Sequence, residues 1–257
     1  MTSGMRVTIV GCSGSYAGPD SAASCYLVEA DGDGRTWRIL FDLGSGAFGA
    51  LQRFADPRHI DALFISHLHA DHFYDISGYY VVRTWHPEGE MPPLPTWGPK
   101  GMAKQIAAGY GLKVHPGMKD AFDVQKYGHE PVVVGPFTVH TAKLKHPIRS
   151  YGFRIEANGS VLAYSGDTGP CDELVDLSRG ADLFLCEAAF RSDRDDNPPD
   201  LHLTGREAGD AAKSAGVGKL VLTHIPPWHD KQNAYDEAAG VFDGPIELAE
   251  PGQVFDV

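Results

Sequence analysis

The 257-residue chain has no run of apolar residues long enough to span a bilayer. Its four cysteines, Cys12, Cys25, Cys171 and Cys186, form no Cys-x-x-Cys pair. The first absence argues against a transmembrane helix. The second removes a zinc ribbon and a thioredoxin-type redox motif. Basic residues are scarce as well: 22 Lys and Arg stand against 34 Asp and Glu, for a formal net charge of −12. Such a surface repels polyanions on average, so DNA is excluded as an expected partner and tRNA is disfavoured. A local metal charge can still attract a small anion. No Pro/Ser-rich linker, charge run or internal repeat divides the chain, so one domain over residues 1–257 is expected. The opening Met-Thr-Ser-Gly-Met-Arg carries no signal-peptide pattern. Free thiols then suit a reducing, cytoplasmic setting.

Short runs rich in β-branched and aromatic residues dominate what is present. They predict strands at 6–10, 25–30, 36–42, 62–66, 131–134, 137–144, 151–156, 161–165, 183–187, 220–224 and 253–257. Helices are predicted at 47–54, 71–83, 100–110, 171–177, 205–215 and 232–242. Thr204 followed by Glu207 fits a capping box at the start of the fifth helix. Hairpins among the strands imply antiparallel pairing, which disfavours a purely parallel doubly wound sheet. The expected class is therefore a sheet-rich α/β domain. Two sheets packed face to face with helices outside would account for it.

Potential ligands recur where predicted strands end. Asp42 follows 38–41, His146 follows 139–145, Asp167 follows 161–165, and His224 closes 220–223. The densest group is His67-Leu-His-Ala-Asp-His72, directly after the apolar run 63–66. In extended backbone, residues two apart point to one side, so His67, His69 and Asp71 can project together while His72 points elsewhere. One segment could thus serve two ions, His67 and His69 for one, Asp71 and His72 for the other. Imidazole and carboxylate donors suit zinc, with manganese or iron as alternatives.

This His-x-His-x-Asp-His string resembles the signature of the metallo-β-lactamase superfamily. The later landmarks also occur in order, as Lys145-His-Pro147, Ser165-Gly-Asp-Thr168 and Leu222-Thr-His-Ile225. The resemblance implies an αββα sandwich with a dinuclear metal site at the sheet edges. It assigns His67, His69 and His146 to one ion, Asp71, His72 and His224 to the other, and Asp167 as the bridge. Asp42, in Leu40-Phe-Asp-Leu-Gly44, resembles the family's early aspartate and is expected to orient a ligating histidine. Paired cations would lower the pKa of a water and stabilise charge on substrate oxygens, which suits phosphodiesters, lactones, thioesters and β-lactams alike.

Other residues narrow the choice. Glu187 in Phe184-Leu-Cys-Glu-Ala188 and His202 in His202-Leu-Thr-Gly205 resemble features of the RNase Z-like phosphodiesterase branch. By that resemblance His202 is the general acid and Glu187 holds and charges it, with Asp71 counted among the catalytic groups. The long arm of tRNA-processing members is absent, since only residues 147–166 separate His146 from Asp167. The strings Val10-Gly-Cys-Ser-Gly-Ser15, Tyr164-Ser-Gly-Asp-Thr-Gly-Pro170 and Leu222-Thr-His-Ile-Pro-Pro-Trp228 are similar to actinobacterial cyclic-nucleotide phosphodiesterases of the superfamily. That likeness implies hydrolysis of 3′,5′-cyclic AMP to the 5′-monophosphate. An RNA 3′-end endonuclease, a lactone or thioester hydrolase, and a non-catalytic metal scaffold are the alternatives. Among Tyr79, Trp85, Trp97, Tyr110 and Trp228, the last ranks first as a substrate contact, because two prolines stiffen its loop four residues beyond His224. The Gly/Ser-rich stretch 11–18 lacks a phosphate-loop lysine and is expected to be a tight turn. A homodimer is expected by analogy with relatives.

Overall fold

The computed structural model describes residues 4–89 and 91–257. Many of its strands are apolar on both faces, and that property sets the architecture. In β1 (Met5–Gly11), β2 (Cys25–Gly32) and β3 (Arg35–Phe41), Val7, Ile9, Tyr26, Val28, Ile39 and Phe41 enter one buried cluster. The alternate residues Val10, Leu27 and Leu40 enter another. A strand buried on both faces needs a layer on each side.

The first sheet runs in the order β14 (Val254–Asp256), β1, β2, β3, β4 (Ala62–Phe64), β5 (Leu94–Gly98), β6 (Phe122–Lys126). The second runs β13 (Ile246–Leu248), β12 (Leu220–Thr223), β11 (Leu183–Glu187), β10 (Ser160–Tyr164), β9 (Ser150–Ala157), β8 (Phe137–Leu144), β7 (Val132–Val134). The inner faces meet in a shared core, where Phe41 and Phe64 of one sheet contact Phe153 of the other. Helices α1 (Ala47–Leu51), α3 (Ile76–Trp85) and α4 (Met102–Tyr110) cover the outside of the first sheet. Helices α5 (Asp172–Ser178), α6 (Gly205–Ala215) and α7 (Lys231–Ala239) cover the second. The result is an αββα sandwich. Thr204 and Glu207 form the capping box at the start of α6.

Each sheet is mixed. Strands β3 to β6 are parallel, as are β10 to β13, while the β1–β2–β3 and β7–β8–β9–β10 runs are antiparallel. Two antiparallel steps leave β8 running in the direction of β10. The C-terminal ends of β3, β4, β8, β10, β11 and β12 therefore deliver their following residues to one rim.

Several elements differ from the sequence-based expectation. β5 was not expected, because Pro95 interrupts its pattern; β4 pairs only with Thr96 and Trp97, so the proline lies outside that register. β6 and β13 were also missed: β6 is a polar strand at the sheet edge, and β13 is only three residues. The helix expected over 71–83 is two, a short α2 (Ala70–Phe73) and α3, separated at Tyr74 and Asp75. The break lets Asp75 cap the start of α1, accepting a hydrogen bond from the Phe48 amide at 2.9 Å.

Candidate metal centre

Each strand end supplies the rim with a different donor. Asp42 follows β3, His67 to His72 follow β4 and enter α2, His146 follows β8, Asp167 follows β10, and His224 follows β12. Two groups form. His67, His69, His146 and Asp167 have ligand atoms within 4.8 Å of one another, and so do Asp71, His72, Asp167 and His224. The structure thus brings together all seven residues assigned by the motif, with Asp167 common to both groups.

The backbone is shaped for this convergence. Asp42 and His224 adopt left-handed φ values of 60° and 56°, uncommon for non-glycine residues though least so for Asp, Asn and His. Glycine is needed where chains touch: a Cβ on Gly44 would stand 1.9 Å from the Asp71 carbonyl oxygen, and one on Gly14 2.1 Å from that of His224. The stretch 11–18 is therefore a turn lying against the site, with the Ser15 amide 3.4 Å from His224 Nε2.

Hydrogen bonding orients the donors. Asp42 Oδ2 accepts from His72 Nδ1 at 2.7 Å, Ser66 Oγ at 2.8 Å and Tyr164 Oη at 2.7 Å; its Oδ1 accepts from the Ser66 amide at 2.7 Å. With Nδ1 donating to Asp42, His72 turns its Nε2 lone pair toward Asp167. His146 donates from Nδ1 to the Leu201 carbonyl at 2.8 Å, so its Nε2 faces the cluster. Ser66, Tyr164 and Leu201 escaped the sequence analysis. Ser66 immediately precedes the histidine motif, but nothing local marks the carbonyl of Leu201.

The donor set fits divalent cations. Among the described residues, Asp167 Oδ1 is buried without a hydrogen-bond partner, with His72 Nε2 3.2 Å away. Imidazole nitrogens approach one another closely: His67 Nε2 to His69 Nδ1 3.0 Å, His146 Nε2 to His69 Nδ1 3.2 Å, and His72 Nε2 to His224 Nε2 3.1 Å. Tetrahedral zinc with Zn–N of ~2.0–2.1 Å sets ligand nitrogens about 3.3 Å apart. Lone pairs that repel one another would share a positive charge once a cation sat between them. The electrostatics make the same demand. Burial opposes ionisation of Asp167, yet the charges of His224, His72 and His67 hold its carboxyl well below the usual range. Burial likewise opposes charge on His72, but Asp167 and Asp42 push its pKa well above ordinary imidazole values. The buried carboxylates call for a positive partner, and a proton on His72 meets that need where a cation can.

Beside these groups sits the expected acid pair. Glu187 is fully buried at the end of β11 and accepts from the Thr168 amide at 2.9 Å, the Ala189 amide at 3.2 Å and His202 Nδ1 at 3.0 Å. Burial would lower the His202 pKa, but the charge and hydrogen bond of Glu187, reinforced by Asp167, raise it to about 9. His202 thus carries a proton at neutral pH. Glu187, His202 and His224 also have ligand atoms within 4.8 Å of one another, but His202 already spends Nδ1 on Glu187.

The aromatic candidates separate. Tyr79 is buried in α3, Trp97 on β5 stacks on Phe64 in the core, and Trp85 and Tyr110 end α3 and α4. They are not loop residues over the site, because the segments carrying them are regular elements. Trp228 lines a cavity of about 370 Å³ with Ser15, Phe190, Arg191, Arg194 and His202.

Comparison with known proteins agrees with this geometry. The family described as Beta-lactamase superfamily domain matches residues 37–225. A Mycobacterium leprae protein described as uncharacterized is 45% identical over 98% of this chain and 89% of its own length. The probable metallo-hydrolase YhfI of Bacillus subtilis is 30% identical over 98% of this chain and 100% of its own. The crystal structure of YhfI superposes with a TM-score of 0.86, covering 98% of this chain and 99% of that one. Human tRNase Z, short form, gives a TM-score of 0.74 at 25% identity, covering 97% and 98%. Among the described residues no helix is long and apolar enough to cross a membrane. Fold, paired His/Asp clusters suited to a dinuclear metal site, and relatives together establish that this chain belongs to the metallo-β-lactamase superfamily, as a metallo-hydrolase of its RNase Z-like branch.

Proposed function

We propose that the chain is a phosphodiesterase that hydrolyses 3′,5′-cyclic nucleotides, cyclic AMP among them, to 5′-monophosphates. The carrying observation is the Glu187–His202 pair, an imidazole hydrogen-bonded to a buried carboxylate at 3.0 Å, beside the ligand clusters and on the wall of a cavity of about 370 Å³. That volume lies in the ~300–1,000 Å³ range of small-molecule sites. Two divalent cations, most simply Zn2+, would be held by His67, His69, Asp71, His72, His146, Asp167 and His224. When bound, such a pair polarises water and the phosphate oxygens.

The chain's own groups do the rest. Hydrolysis adds water across the bond between phosphorus and the 3′ oxygen. That oxygen leaves slowly as an alkoxide, and His202 supplies its proton. Glu187 keeps the imidazole charged and turned toward the cleft. Asp71, buried near His72 and His224, stays ionised because the positive charge gathered at those histidines, or at a cation in its place, outweighs its burial.

Processing of RNA, suggested by the tRNase Z relative, is the competing reading. Against it stand the net charge of −12 and the short connection from His146 to Asp167, which is filled by the hairpin of β9 and β10 with a two-residue Asn158-Gly159 turn. A small anionic substrate fits better than an extended polyanion. The test is a panel of cyclic nucleotides with zinc- or manganese-loaded protein, read by product mass. Formation of 5′-monophosphates is expected. Turnover of a generic phosphodiester without turnover of any cyclic nucleotide would overturn the proposal.

A further inference from the structure

Two loops left unused by the hydrolytic chemistry meet at the mouth of the cavity. In the first, Gly14 packs against the His224 carbonyl and the Ser15 amide lies 3.4 Å from His224 Nε2. Tyr16 is the next residue, so it starts one step from the ligand cluster. Its backbone is fixed: its amide donates to the Gly14 carbonyl at 2.8 Å, and its carbonyl accepts from Ser13 Oγ at 2.7 Å. The second loop leaves His224 through Pro226 and Pro227 to Trp228, and a turn is closed by the His229 amide on the Pro226 carbonyl at 2.9 Å.

The rings of Tyr16 and Trp228 are 5.2 Å apart between centroids, with planes inclined by 30°. They remain 45% and 61% exposed. Folding does not cover these apolar faces, although both rings sit on hydrogen-bonded turns. The same cavity carries Trp228 and His202 on its walls. Phe190 lines it as well, edge-on to the His202 ring at 5.0 Å, and Arg191 and Arg194, each paired through two nitrogens with a neighbouring aspartate (Asp193 and Asp196), leave their remaining N–H groups as donors. Flat apolar walls with a few hydrogen-bond donors match a heteroaromatic ring bearing acceptor nitrogens and oxygens better than an alkyl chain.

We infer that Trp228, braced by Tyr16, is the wall on which the base of a nucleotide substrate stacks while its phosphate faces the histidine–aspartate clusters. The placement of the phosphate rests on the phosphodiesterase reading; the stacking of the base is tested separately. Trp228 is therefore a specificity-determining residue, and the Gly/Ser-rich turn before Tyr16 is part of the substrate site.

The experiment uses metal-loaded full-length protein and two readouts. In the first, adenosine 5′-monophosphate and ribose 5-phosphate are titrated against tryptophan fluorescence. The nucleotide should quench the wild-type signal, ribose 5-phosphate should not, and Trp228→Phe should lose the quench. In the second, kcat and KM are measured for cyclic AMP and for base-free ribose 3′,5′-cyclic phosphate. Trp228→Ala should lower the preference for cyclic AMP roughly 10- to 100-fold, mostly through KM, because base–aromatic stacking has that magnitude. Trp228→Phe should restore most of the preference, and Tyr16→Ala should move it less in the same direction. Equal quenching by both ligands, or an unchanged preference in Trp228→Ala, overturns the inference. So does a changed sedimentation state with unchanged KM, which would make the ring pair an interface between copies. Quenching by the nucleotide without turnover of any cyclic nucleotide would keep the stacking wall and sink the assigned reaction. Turnover of cyclic AMP with an indifferent Trp228 would do the reverse.

Discussion

The two ligand groups share Asp167 but differ in their surroundings. Asp71, His72 and His224 are buried, whereas His69 and His146 of the other group are only partly so. The buried group is gripped from behind: Asp42, itself held by Ser66 and Tyr164, fixes His72. In the open group Ser66 Oγ also meets His67 Nδ1 at 3.0 Å, while the more exposed His146 is turned by a backbone carbonyl from the loop that also carries His202. A closed, negatively charged pocket retains a cation. A half-open one should exchange it more readily. The difference teaches that a repeated donor set need not mean equivalent sites, because burial and supporting hydrogen bonds divide the roles.

The largest expected effect comes from the residue that both groups share. Asp167→Ala should lose metal from both groups, measured by elemental analysis, and activity should fall to background. Retention of one full equivalent would show that the groups do not depend on a common ligand.

The acid pair should respond differently. His202→Ala should keep both metals and lose about 10²- to 10⁴-fold in kcat. The His202 pKa is raised, so the group is protonated at neutral pH and activity should decline as alkali removes that proton. Bound cations would draw the midpoint below about 9. The alkaline limb of the pH–rate profile should vanish in the variant. A fully active His202→Ala protein would end the general-acid assignment.

Asp42→Asn sharpens the contrast between the groups. Asparagine tolerates the left-handed backbone at this position, so the substitution removes charge with little strain. Metal affinity of the buried group should fall about 10- to 100-fold, while the open group is spared. Equal weakening of both would break the comparison.

The smallest effect is kinetic. Chelator should remove one equivalent quickly, from the open group, and the second slowly. Each loss lowers the melting temperature by mass action. A cation present at a hundredfold excess over its Kd contributes about 2.7 kcal/mol, or roughly 5–10 °C for a chain of this size. Simultaneous release with a single step would refute the asymmetry.

Much of this was legible in the sequence. The spacing in His67-Leu-His-Ala-Asp-His72 encodes two sets of donors, because extended backbone alternates its side chains and the following helix turns the last one away. The recurrence of Asp42, His146, Asp167 and His224 after apolar runs marked strand ends as donors to one rim. Thr204 and Glu207 announced a helix start through local chemistry alone. What escaped notice was non-local. β5 hides behind prolines, and β6 and β13 owe their pairing to a sheet edge elsewhere in the chain. Tyr16 reads as part of a small-residue turn until Trp228, more than two hundred positions away, is set beside it.

The sequence by itself determined which donors exist and in what local order, since side-chain type and backbone periodicity are properties of neighbouring residues. Only the tertiary structure decided that one group would be sealed and the other left open, that a loop carbonyl would steer His146, and that two distant rings would share a rim. Burial and long-range hydrogen bonds depend on which surfaces pack together, and no short stretch of chain contains that information.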